Sequence, residues 1–136
     1  YLSNFCKQIT AVDQAIKIKE TTENIKSFKE DLSVFLKNKN CKFDIMYCRF
    51  GIHSITENVE DILLKNSKEI YFEFRSDKDN SYKKDHYRRK INGNDFITKL
   101  INLGFEICYF KESKNLAIFE AQNPIIIRVI AKRKKN

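Results

Sequence analysis

Four arginines stand apart in a chain whose cations are mostly lysines: Arg49, Arg75, Arg88 and Arg89 fall at or just after segments that read as strands. A planar guanidinium binds phosphate or carboxylate through two parallel hydrogen bonds, so this placement favours an anionic ligand. Ion pairing with Glu73, Asp77 and Asp79 is the alternative. His53 follows the strand ending near Arg49, on the carboxyl edge where open α/β sheets bind ligands. An imidazole there could act as general base for an attacking oxygen, which makes His53 and Arg49 the candidate catalytic pair; a structural histidine is the other reading. Asp13 ends a short strand, a position from which a carboxylate can accept both hydroxyls of a ribose. A helix N-cap is its plainer role. His53 and His86, without ligand-spaced carboxylates or cysteines, do not make a metal site.

These residues must be positioned by alternating elements. Residues 7–12 (KQITAV) read as a strand stopping at Asp13, and residues 14–23 have helical character. Residues 24–28 read as a second short strand. Asp31 then opens DLSVFLKN, whose Leu32, Phe35 and Leu36 share one helical face. Residues 42–49 (KFDIMYCR) are apolar on both parities, as in a strand covered on both faces, and Thr56 caps the helix ENVEDILLKN. Residues 69–75 (EIYFEFR) are a further strand. The polar stretch 76–94 reads as a long surface excursion. Asn94 or Asp95 is expected to cap DFITKLINL, Gly104 to end it, and FEICYF, LAIF and PIIIRVIAK to supply the last strands. The pattern predicts one α/β domain over residues 1–136, with parallel central strands and an antiparallel edge hairpin.

With 136 residues, 42% hydrophobic and 12% aromatic, the chain can build a core. It has no apolar run of membrane-spanning length and no secretory signal pattern, which points to a soluble cytoplasmic protein with no membrane partner. The cysteines Cys6, Cys41, Cys48 and Cys108 lack CxxC spacing and read as reduced, Cys48 in the core. The net charge of +8 comes from lysine in an Asn- and Ile-rich chain, a bias of AT-rich coding, so a nucleic-acid partner is not the leading expectation. The tail AKRKKN reads as a solvated end.

The order of segments, strand to Asp13, strand to Glu30 and Asp31, strand to YCRFGIHS, strand to EFRS, then an antiparallel pair, resembles the C-terminal two-thirds of class I S-adenosylmethionine-dependent methyltransferases. DIMYCRFGIHSITE, IYFEFRSDKD, DHYRRKI and NPIIIRVIAKR are similar, more narrowly, to a bacterial group of capsule and surface-polysaccharide enzymes, some implicated in methylating phosphoramidate substituents. That group's YxRFxxH, E-x-R-S and H-x-R-R segments fall here on Tyr47, Arg49, Phe50 and His53, on Glu73, Arg75 and Ser76, and on His86, Arg88 and Arg89. The resemblance implies a Rossmann-like sheet and S-adenosylmethionine as cofactor. It implies Asp13, Glu30 and Asp31 around the adenosine, and Tyr47, Arg75, His86, Arg88 and Arg89 around a small anionic or sugar-linked acceptor.

One departure is evident. The family opens with a strand and a Gly-rich turn of the GxGxG kind, whereas the glycines here are Gly51, Gly93 and Gly104, all too far along. The expectation is an N-terminally truncated domain lacking the first strand of the order 3-2-1-4-5-7-6, so that the strands ending at Asp13 and Arg49 lack their joining neighbour. The expected reaction is methyl transfer to an oxygen of the acceptor; a catalytically dead remnant is a further reading. A basic nucleic-acid-binding module, stacking bases on Tyr82 and Tyr87 of SYKKDHYRRK, is the alternative. Oligomeric state is left open.

Overall fold

The computed structural model describes residues 5–14, 23–39, 41–81, 88–118 and 121–134. The chain divides into two compact units, Tyr1–Cys41 and Lys42–Asn136.

The first unit contains two short parallel strands, β1 (Ile9–Val12) and β2 (Ile25–Phe28), paired in register from Ile9 opposite Ile25 to Val12 opposite Phe28. The Asp13 N–H extends the ladder, donating to Phe28 O at 3.1 Å. Helix α1 (Leu32–Asn38) starts as expected at Asp31, whose Oδ1 accepts from the Ser33 N–H at 2.8 Å. It buries Phe35 and Leu36, and Phe35 meets Phe28 with ring centroids 5.0 Å apart. The helix expected over residues 14–23 falls mostly on 15–22, outside the described residues.

The second unit is a four-stranded sheet of order β3-β4-β6-β5, with β3 (Phe43–Arg49), β4 (Ser67–Arg75), β5 (Phe105–Ser113) and β6 (Ile126–Arg133). β3 and β4 run parallel, joined through a 3₁₀ turn (Ile52–Ser54) and helix α2 (Glu57–Asn66); β6 runs antiparallel to both β4 and β5. The crossover helix makes the parallel pair possible, because two parallel strands need a long connection. Helix α3 (Gly93–Asn102) precedes β5 and sets Phe96 against Phe72 and Phe74 of β4. Ile70, Phe72, Phe74, Leu63, Leu64, Leu100, Phe105, Ile127, Val129 and Ala131 are buried and form the core. No described helix is long and apolar enough to cross a membrane, and all four cysteines are free.

Several local expectations change. Helix α3 is capped by Asn92, not Asn94 or Asp95: its Oδ1 accepts from the Asn94 and Asp95 N–H groups at 3.0 and 3.2 Å. Asp95 instead lies in the first turn, where a carboxylate complements the helix dipole. LAIF supplies no named strand among the described residues. Leu116 O accepts from Arg128 Nη2 at 2.7 Å, a side-chain bond in place of a ladder bond. β3 is not covered as its apolar parities suggest: it is an edge strand of its sheet, with Ile45 52% and Tyr47 60% exposed. Nor is the basic tail wholly solvated. Arg133 donates to Ser67 O, Leu103 O and Leu64 O at 2.9, 2.6 and 2.7 Å and stacks on Phe105, closing the ends of α2 and α3.

Candidate functional site

The parallel pairing of β1 with β2 brings the expected adenosine-side residues to one end of that pair. Asp13 is exposed there, one residue past Val12, and Glu30 and Asp31 are half-buried past Phe28. Gln14 Nε2 donates to Asp31 Oδ2 at 2.6 Å, tying the two strand ends together. The hydrogen bonds from the Ser33 side chain and N–H hold the Asp31 carboxyl below the usual carboxylate range. Asp31 is therefore an N-cap, its oxygens held by Ser33 and Gln14, and Asp13 is exposed. A ribose fits that carboxylate by its chemistry and exposure. The helix that Asp13 would cap lies outside the described residues.

In the second unit the parallel register sets Arg49 opposite Glu73 at the carboxyl ends of β3 and β4. Arg49 Nε donates to Glu73 Oε1 at 2.9 Å, and Arg128 bonds the other oxygen of the same buried carboxylate. The Arg49 side chain is still 55% exposed. Tyr47, two residues back on β3, is exposed. Arg75 is more committed: Nη1 lies 3.1 Å from both Asp79 Oδ2 and Ser81 Oγ, and Nη2 donates to Gln122 Oε1 at 2.8 Å. For Arg49 and Arg75 the ion-pairing alternative is thus realised, with Glu73 and Asp79 as partners.

After Arg49 the chain reverses sharply. Phe50 adopts φ 55°, its N–H donating to Glu73 O at 2.7 Å, and a Cβ on Gly51 would meet Cys48 Sγ at 2.8 Å. The requirement for glycine at 51 is therefore one of space. Burial pushes the Cys48 thiol up, leaving it a poor nucleophile. The reversal delivers His53 into the 3₁₀ turn, where it is 3% exposed. That burial suits a structural histidine as well as a shielded base.

Arg88 is half-buried and Arg89 is turned inward, onto Ile52 O, Ile55 O and the carboxylate of Glu60. Arg89 is ion-paired as the alternative reading holds, but with Glu60 and Glu57 in place of Glu73, Asp77 or Asp79. His86, Tyr82 and Tyr87 lie outside the described residues. The stretch 76–91 is closed at its base by Ser76 bridging Ile91 and by the Asp77 N–H on Ile91 O at 3.0 Å. Among the described residues no group of three or more metal-ligating side chains is assembled.

Glu60 escaped the sequence reading, though a signal existed. It shares a helical face with Leu63 and Leu64, three and four residues on, and a carboxylate on an apolar face needs a buried cation.

No protein-family model and no curated protein sequence matches the chain. Solved structures do. TehB from Haemophilus influenzae superposes with a TM-score of 0.72 at 11% identity over 93% of this chain, which spans 50% of that protein. A proposed S-adenosylmethionine-dependent methyltransferase from Listeria monocytogenes gives 0.68 at 12% identity, covering 95% of this chain and 81% of that one. A SAM-dependent methyltransferase from Anabaena variabilis gives 0.64 at 19% identity, over 98% and 71%. The chain has the α/β fold of the S-adenosylmethionine-dependent methyltransferases, and the order β3-β4-β6-β5 with its antiparallel end belongs to that fold.

Proposed function

We propose that the chain is a methyltransferase domain that takes S-adenosylmethionine as cofactor and acts on an oxygen of a small anionic or sugar-linked acceptor, in modification of a surface polysaccharide. The observation that carries this reading is the exposed Asp13 carboxylate at the end of a parallel strand pair, in a chain with the methyltransferase fold. Asp13 would hold the ribose and Glu30 the adenine edge, with Asp31 shaping the turn between them. Bound S-adenosylmethionine supplies the electrophilic methyl group.

On the acceptor side Arg49 is the cation to attract an anion, since its side chain is half exposed while Arg75 and Arg89 are bound inward. His53 would take the proton of the attacking hydroxyl, and its burial would exclude water from that exchange. Tyr47, His86 and Arg88 complete the proposed acceptor surface.

Calorimetric titration with S-adenosylhomocysteine, together with transfer of a labelled methyl group to sugar phosphates, tests the proposal. Binding is expected, weakened about tenfold or more in Asp13→Ala, and any transfer should vanish in His53→Ala without a change in cofactor affinity. Equal binding by wild type and Asp13→Ala would remove the adenosine assignment.

A further inference from the structure

The turn carrying His53 is held from both ends. At its start Phe50 occupies the left-handed region at φ 55°, a conformation that is unfavourable for a bulky residue and persists only where its surroundings impose it. Within the turn the Ser54 N–H donates to Gly51 O at 2.9 Å. Three carbonyls, those of Ile52, His53 and Ile55, are all satisfied by one residue from far along the chain. The Arg89 N–H donates to His53 O at 2.7 Å, Nε to Ile55 O at 2.7 Å and Nη2 to Ile52 O at 3.1 Å. Nη2 also bonds Glu60 Oε2 at 2.5 Å, and Glu60, 2% exposed, is fixed in turn by Lys99 on its other oxygen.

We infer that Arg89 is a positioning residue, anchored on Glu60, that holds the Arg49–His53 turn in a single conformation. Lysine cannot replace it: an ammonium keeps the charge but lacks the fork needed to serve two carbonyls and a carboxylate in fixed directions. The consequence for methyl transfer rests on the proposed reading of Arg49 and His53, whereas the conformational claim stands on the hydrogen bonds alone.

The test therefore reads conformation without turnover. Wild type, Arg89→Lys, Glu60→Gln and a distant core variant, Ile127→Val, are treated with diethylpyrocarbonate, and modification of His53 is followed by peptide mass spectrometry, which separates it from His86. Amide exchange over residues 52–55 and melting temperature are measured alongside. In Arg89→Lys, His53 should react about tenfold faster, with faster exchange in the turn, because local opening is no longer opposed. Glu60→Gln should give a smaller acceleration, and Ile127→Val should lower the melting temperature yet leave His53 protected. Wild-type protection of His53 in a folded Arg89→Lys, or in Glu60→Gln should Arg89→Lys not fold, would overturn the inference. Equal acceleration in Ile127→Val would do the same. Loss of the methyltransferase reading would appear only in the cofactor and transfer assays.

Discussion

The ends of the two parallel strand pairs are built differently. At the end of β1 and β2 the polar groups are acidic and local: Asp31 caps the helix two residues on, Gln14 reaches one strand across, and Asp13 is exposed. At the end of β3 and β4 three of the candidate arginines each hold a carboxylate: Arg49 with Glu73, Arg75 with Asp79, Arg89 with Glu60. The first end keeps an exposed carboxylate at Asp13, while the second spends most of its charge on its own architecture. A cluster of arginines at strand ends is therefore not by itself an anion site, and the useful distinction is how much of each guanidinium remains exposed.

Removing the anchor of the second end should have the largest effect. Glu60→Ala removes the buried carboxylate shared by Arg89 and Lys99, leaving them only the more exposed Glu57 and Asp61, and is expected to destabilise the protein by about 3 kcal/mol, the scale of breaking a buried pair. Chemical denaturation measures it; a loss no larger than that of a surface ion pair would mean the network is incidental. Arg133→Ala removes donors to four carbonyls and the stacking on Phe105, and should cost about 2 kcal/mol by the same measurement.

The contrast sharpens at the first end, where the expected effects fall on binding. Asp13→Ala should leave the melting curve close to wild type while weakening adenosine-containing ligands by about 1.5–3 kcal/mol, the range for hydrogen bonds to a charged group. A stability loss without a binding loss would make Asp13 architectural, and the two ends alike. Asp31→Ala should cost about 1 kcal/mol through the lost N-cap. Because the folded carboxyl of Asp31 is held below its unfolded value, that contribution is full above the ordinary carboxylate range and fades as pH falls through the depressed value. Denaturation of wild type and Asp31→Ala should thus converge in acid, and a gap that persists there would assign the cap's effect to the neutral side chain.

The amino-acid sequence by itself determined the alternation of strands and helices, the caps at Asp31 and Thr56, the stop at Gly104 and the acidic residue closing β1. All of these are decided within a few residues, by periodicity, by a side chain reaching its own helix N-terminus, or by a backbone angle that glycine tolerates. The exceptions were near misses of the same kind: Asn92 caps α3 where Asn94 and Asp95 compete as candidates two and three positions on. Only the tertiary structure decided which arginines are free to meet a ligand. Arg49 finds Glu73 24 residues away, Arg89 finds Glu60 29 away, and Arg133 reaches Leu64 O 69 away. Such pairings depend on strand register and helix packing, so a guanidinium read in sequence looks the same whether it faces solvent or seals the end of a helix. His53 shows the same limit: its place after a strand was legible, but its burial depends on Arg89, a residue that local pattern could not connect to it.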